Sequence, residues 1–323
     1  MAAVHDDRSV EQGFPDTGKL CKDKRRCFQQ SYGREYISSF AERMAAALPS
    51  LGHRASDKLK LALEHSFPRD DRIAFVEDTH TYYVDGVQVR LSVTGLVESV
   101  AGEHFDPDAA LISMKRRWPN PKYADVLPDG TLAPWTDVRI KQSWADAGKL
   151  ASELGTDLHS KIECFLNDVP VSFGPDPATN NRREFGYFLA WWEGQVTLGW
   201  RPFRTEAVIF EEVAGSVDFI AHNSTTGKYG LIDWKRCKTK EAGFAKSFGK
   251  RFQAPLQHLE YHKMNKWSLQ INVYREILER NYGLEIESMA MVVFHEENEA
   301  AAVFSFPRTA DARTLLNVYN ANE

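Results

Sequence analysis

At 323 residues with 43% hydrophobic and 26% charged side chains, the chain is long enough to bury one large core, or a core plus a smaller appendage. No apolar run approaches the roughly 20 residues that a membrane-spanning helix needs, so a membrane protein is excluded. The net charge of −5 does not advertise a nucleic-acid binder, although a local patch counts for more than the total.

Residues 1–70 read as a polar, partly helical extension carrying one amphipathic segment, YISSFAERMAAAL. The N-terminus lacks the apolar stretch of a secretory signal, and its acids argue against a transit peptide. Four cysteines in so long a chain do not make a disulfide framework. An intracellular, non-secreted protein is therefore expected, with cytoplasm, nucleus and DNA-containing organelles unresolved. The basic stretch KLCKDKRRC reads equally as an arm, a nuclear-import signal or nothing.

From residue 71 onward a single domain is expected. FVEDTHTYYVDGVQVRLSVTGLVESV, residues 75–100, places Asp85-Gly86 between β-branched and aromatic runs, a hairpin signal. Residues 106–147 are rich in Pro, Trp and Lys/Arg, with a loop expected at PNPKYADVLPDGTLAP. A helix over about 137–167 follows, then a Pro/Asn-rich break, GPDPATNN, and a second helix beginning at RREFGYF. The periodicity then changes to three consecutive strands, FRTEAVIFEE, GSVDFIAHN and KYGLIDWK. A long helix near 265–281 is closed by Gly283, and a last strand, SMAMVVFHE, precedes a short helix. This order predicts an α/β or α+β domain around a mixed sheet flanked by helices.

The chemistry concentrates at the second and third strands. If the turn at Ser224–Gly227 is symmetric, residue 222 pairs with 229 and Asp218 stands opposite Asp233. Opposed Cβ atoms lie about 5 Å apart, close enough for two carboxylates to grip one hard cation. Without a cation they repel each other. Lys235 projects from the same face as Asp233, because the strand period is two. On the helix GTDLHSKIECF, His159 and Glu163 share a face at i and i+4. Singly, the one reads as packed and the other as solvated. Gln270 and Tyr274 lie one turn apart on the later helix, where Tyr274 reads equally well as core.

Two stretches are locally basic. Lys235 to Arg251 holds seven basic residues, among them Arg236, Lys238, Lys240 and Lys246, against one acid. MKRRWPNPKY interleaves Lys115, Arg116 and Arg117 with Trp118 and Tyr123. Each run alone reads as readily as a solvated face.

The succession GTDLHSKIE, EAVIFEEVAGSVDFI, LIDWK and LQINVY resembles the PD-(D/E)XK nuclease superfamily over roughly residues 75–297. The likeness is to its RecB-like branch with a Q-xxx-Y helix. SVTGLV, Trp144 and the GTxLHxxIE helix are similar to the mitochondrial genome-maintenance exonuclease group and its viral and eukaryotic relatives. The resemblance implies a restriction-endonuclease-like core and a Mg²⁺-dependent phosphodiester hydrolase, with Mn²⁺ able to substitute. It implies Asp218, Asp233, the Trp234 carbonyl and His159 as metal ligands, and Lys235 acting on the attacking water and the phosphate. Gln270 and Tyr274 would brace the site and touch the strand, and Glu163 and Glu206 match acidic positions beside the metal. The departures are a bulky Trp234 inside D-x-K and Asp rather than Glu as its acid.

No cysteine follows Cys237, so the iron–sulfur cluster of some RecB-like nucleases is not expected. Helicase motifs are absent, which leaves a nuclease acting alone or with a helicase, replication or repair partner. The substrate expected is DNA, single-stranded or with free ends, gripped by the two basic stretches. The alternatives are an endonuclease or RNase of the same fold, or a catalytically silent nucleic-acid-binding protein.

Overall fold

The structure is a computed structural model. It describes residues 59–321, apart from positions 78, 103–104, 119, 239–243 and 248. Its centre is a five-stranded mixed sheet built from β6 (Trp200–Phe210), β7 (Ala214–Asn223), β8 (Tyr229–Arg236), β9 (Ile286–Phe294) and β10 (Ala302–Ser305). The strand order is β10-β9-β8-β7-β6, with β8 and β9 parallel and the other neighbours antiparallel. Helices cover both faces, so the fold is α+β. No helix among the described residues is long and apolar enough to cross a membrane.

One face is closed by α4 (Asp137–Leu166) and α5 (Arg182–Thr197). Leu158, Ile162 and Leu166 of α4 meet Phe185, Phe188, Trp191 and Trp192 of α5, all packed on Phe219, Ile232, Trp234 and Phe294. The spacing of those apolar residues is that of a helix face turned to a sheet. The opposite face is closed by α2 (Val93–Ser99), α6 (Lys263–Asn281) and α7 (Asp311–Ala321), which pack on Val217, Ile220, Leu231, Met291 and Val293. Burial on both faces explains why β9 is an unbroken apolar run from Met289 to Phe294 rather than an alternation.

Local chemistry sets the joints. Thr136 caps α4 by accepting from the Arg139 amide, and Asn167 ends it while fastening three elements at once. Its Oδ1 accepts from the Leu61 amide of α1 (Lys60–Glu64), and its Nδ2 donates to Glu163 O and to Thr205 Oγ1 of β6. Gly283 adopts φ 69 beyond α6, as its place after the last helical turn requires. Asn181, at φ 53, opens α5 and donates to Leu154 O and Asp157 Oδ2 of α4.

Several expectations shift. The hairpin around Asp85-Gly86 forms from β1 (Ile73–Val76), β2 (Thr81–Val84) and β3 (Val87–Gln88). It stops there: Ser92 Oγ accepts from the Gly95 amide, and residues 93–99 turn into α2. The segment 106–147 holds α3 (Pro107–Lys115) and a two-stranded ribbon, β4 (Ala124–Val126) with β5 (Leu132–Pro134), where a loop was expected. Residues 60–70 belong to the domain rather than to an extension. Phe67 is in the core, and Arg204 of β6 holds Asp70 Oδ2 at 2.8 Å and the His65 carbonyl at 2.9 Å. The amphipathic segment and KLCKDKRRC lie outside the described residues.

Arg236 also departs from expectation. Its guanidinium is buried against Glu184 Oε1 at 2.6 Å and Asn181 Oδ1 at 2.8 Å, so it ties β8 to α5 and does not reach a ligand. Removing one partner of a buried ion pair leaves an uncompensated charge, which costs about 3–5 kcal/mol. Arg236→Ala should therefore lower the unfolding free energy by about that amount in urea denaturation, whereas exposed Lys246→Ala should change it by less than about 0.5 kcal/mol.

Candidate metal centre and its acid–lysine pair

The β7–β8 hairpin has the register that its turn implies, with His222 paired to Tyr229 and Phe219 to Ile232. One step further, Asp218 comes to the position across from Asp233. Regular pairing ends there. The Trp234 amide donates to Asp218 Oδ2 at 2.8 Å rather than to a strand carbonyl. A carboxylate thus replaces a ladder partner at the point where the strands part.

The partner strand on the other side breaks at the same level. Thr205 and Phe219 pair and lie on the α4–α5 side, yet Ala207 and Val217, the next pair, belong to the α6 core. Strict alternation would keep both pairs on one face. The switch occurs at Glu206, whose φ of 42 is left-handed for a residue with a side chain. Strain of this kind persists only where surrounding contacts hold it. Ser216 Oγ donates to Glu206 Oε2 at 2.8 Å.

From the α4 side, His159 completes the group. Its Nδ1 lies 3.6 Å from Asp218 Oδ2 and 3.8 Å from Glu206 Oε1, and its Nε2 lies 3.0 Å from the Trp234 carbonyl. One ligand atom from each of His159, Glu206 and Asp218 falls within 4.8 Å of the others. Two carboxylates and one imidazole suit a small divalent cation, Mg²⁺ or Mn²⁺, with oxygens as the main donors. The Trp234 side chain turns away, stacked on Phe219 and edge-on to Phe188 and Trp191. A bulky middle residue in D-x-K is thereby accounted for: the ring anchors the strand, and only its backbone faces the site.

Asp233 stands beside this trio rather than within it. Its Oδ1 accepts from Gln270 Nε2 at 3.2 Å, and its Oδ2 forms an ion pair with Lys235. Burial pushes Asp233 up to about 6, with Asp218 adding to the rise and Lys235 opposing it. Asp218 is likewise raised by burial and by Glu206, against His159. Burial acts to lower His159 and Lys235, but neighbouring carboxylates outweigh it in both. His159 rises to about 9, and Lys235 stays above its ordinary value. Glu163, one turn after His159, is pushed up to about 7 by burial and by Glu206. In the absence of a cation, His159 and Lys235 are the basic groups that face these buried carboxylates.

Tyr274 is buried, and its burial drives the phenol well above its ordinary range. It braces the site through Gln270 and has no surface with which to touch a strand, contrary to expectation. A Cβ on Gly215 would lie 2.7 Å from Tyr274 Cε1, so the glycine is what admits the ring. Gly215 and Ser216 were missed in the sequence, although an isolated glycine inside a strand is itself a sign of close approach.

The basic stretches separate. Lys246 is exposed, Lys238 is exposed and paired with Glu297, and Lys240 lies outside the described residues. Lys115 pairs with Asp137, and Trp118 packs on a small cluster around Leu111, Tyr123 and Ile140, while Arg116 and Arg117 are exposed. Ile140 precedes His159 by 19 residues of one helix. At 1.5 Å per residue, that cluster is about 28 Å from the site along the axis.

No protein-family model matches this chain, and no curated protein does. A solved structure described as "Crystal structure of SSO0001" aligns over 53% of this chain and 72% of its own, at 14% identity and a TM-score of 0.24. A likeness that slight carries no argument about fold or function.

Two outcomes follow from the charge balance. Mn²⁺ or Mg²⁺ should raise the thermal midpoint of the wild type in chelator-treated buffer by several degrees, and Asp218→Asn or Glu206→Gln should abolish the rise. Glu163 has a folded pKa near 7, above its ordinary 4.5, so its ionisation costs stability as pH climbs between those values. Glu163→Gln should accordingly melt higher than wild type at pH 8 and close to it at pH 4. Scanning calorimetry across that range checks the sign.

Proposed function

We propose that this protein is a divalent-metal-dependent deoxyribonuclease with a restriction-endonuclease-like core, hydrolysing phosphodiester bonds in single strands or at free ends. The observation that carries the reading is the convergence of His159, Glu206 and Asp218 beside the Asp233–Lys235 pair. These residues come from three strands and a helix, and they meet where regular sheet pairing gives way. A fold with no use for a cation gains nothing by gathering three carboxylates there.

Each residue has a distinct task in the proposed reaction. Mg²⁺ or Mn²⁺ held by His159, Glu206 and Asp218, with Asp233 alongside, would supply Lewis-acid stabilisation of the attacking and leaving oxygens. Lys235 holds its proton, because two buried carboxylates favour the charged amine. It is suited to a fixed positive charge beside the phosphate, where negative charge gathers in the transition state. Gln270 holds Asp233 by one oxygen, leaving the other to Lys235. The Trp234 peptide orients Asp218 through its amide and His159 through its carbonyl.

The decisive experiment is a cleavage panel of end-labelled single- and double-stranded DNA and RNA, linear and circular, with and without metal. Linear DNA should be degraded only with Mg²⁺ or Mn²⁺, and circular single strands should survive. Lys235→Ala should slow cleavage about 10²–10³-fold, as loss of a charge-stabilising donor does. Asp218→Ala should be at least as damaging. Cleavage that persists unchanged in either variant would sink the proposal. Nicked circles would make the enzyme an endonuclease, and preference for RNA would change its substrate. Tight binding without cleavage would leave a silent binder.

A further inference from the structure

Residues 249–261, ahead of α6, border a pocket that the proposed chemistry does not use. Gly102, Lys250, Arg251 and Tyr261 line a cavity of about 250 Å³. The loop is pinned by its own backbone: Tyr261 N–H donates to Lys250 O at 2.9 Å, and Arg251 bridges to Glu260. The Gln253 amide fixes the loop to Val100 O at 2.8 Å, just past α2. Phe252 and Leu256 sink into the core, so the cations above them stand on an anchored base. The Tyr261 ring packs edge-on against Phe252 at 5.2 Å.

Three further observations connect this pocket to the metal centre. Lys266, whose ammonium lies 5.7 Å from the Tyr261 ring centroid, shares a helix face with Gln270 and Tyr274 at intervals of four residues. The pocket therefore adjoins the first turns of α6, where Lys266 precedes Gln270 by four residues, about 6 Å of axial rise. Residues 244–266 also carry five lysines and arginines against one acid, in a chain whose net charge is −5. The apolar groove lined by Phe105, Val138 and Trp144 has no such excess, with six basic residues against five acids over 105–145.

We propose that the Lys250–Arg251–Tyr261 pocket is a nucleotide subsite, holding a backbone phosphate on the two cations and a base or sugar against the tyrosine. The inference rests on the nuclease reading above. Arg251 gives Nη1 to the His258 carbonyl at 2.9 Å, which orients the guanidinium while its fork keeps further donors for an anion. A cation pair with an aromatic ring is the combination that grips a single strand without reading its sequence.

The test is equilibrium binding of a fluorescein-labelled oligothymidylate in chelator, followed by anisotropy across a salt series. Removing one cation that neutralises a single-strand phosphate should reduce the slope of log K against log salt by about 0.7. Lys250→Ala/Arg251→Ala should therefore flatten the slope by about 1.4 and weaken binding at least tenfold at low salt. Tyr261→Ala should weaken binding between about fivefold and a hundredfold, while Tyr261→Phe keeps the ring and the affinity. If the double variant loses its folded circular-dichroism signal, Lys250→Ala alone carries the test with half the slope change. Wild-type affinity and slope in the lysine and arginine variants, with normal cleavage, would overturn the subsite and leave the nuclease reading standing. Failure of the wild type to bind or cleave any oligonucleotide would overturn both.

Discussion

A carboxylate buried in the middle strand of a sheet covered on both faces must find a proton or a positive charge. Asp233 is 3% exposed, and its surroundings are organised around that need. Lys235 answers it from two residues along the same strand, and Gln270 answers it from α6. Tyr274 supports Gln270 from one turn further on and is admitted by a glycine on the neighbouring strand. The packing of α6 on the sheet and the ionisation of one aspartate are thus one constraint seen from two sides.

The second half of the site depends on a defect in the sheet. Where β6, β7 and β8 would continue their ladders, Glu206 takes a left-handed backbone and Asp218 caps the Trp234 amide. By the β6–β7 register the two acids are cross-strand neighbours, and the defect is where they come together. Strain of order 1–3 kcal/mol is typical of such a residue, and it is concentrated where three acids and a histidine meet. Sheet irregularity and candidate chemistry coincide in position. That coincidence favours a functional origin over a packing accident.

Charge is partitioned across the molecule in the same spirit. Lys115 of α3 is answered by Asp137 of α4, and Arg139 and Lys141 of α4 by Asp125 and Asp108, about 28 Å from the candidate metal centre. Basic residues from the end of β8 into α6 outnumber the acids of their own stretch, and acids from elsewhere answer some of them: Glu184 pairs with Arg236, Glu297 with Lys238 and Glu98 with Lys266.

Much was legible in the chain itself. Periodicity gave the long helices and the three consecutive strands, because 3.6- and 2-residue repeats follow directly from backbone geometry. The turn at 224–227 gave the β7–β8 register, and with it the approach of Asp218 to Asp233. Local patterns could not give the helix over 93–99, since a β-branched run there suits either state until Ser92 caps it. Nor could they tell that Arg236 is spent on Glu184, that Tyr274 is sealed from solvent, or that Glu206 rather than Asp233 groups with His159 and Asp218. Those facts depend on which elements meet across the sheet. The sequence by itself determined which residues could do chemistry, and only the tertiary structure decided which of them share a partner, because burial and long-range contact set the charge each one keeps.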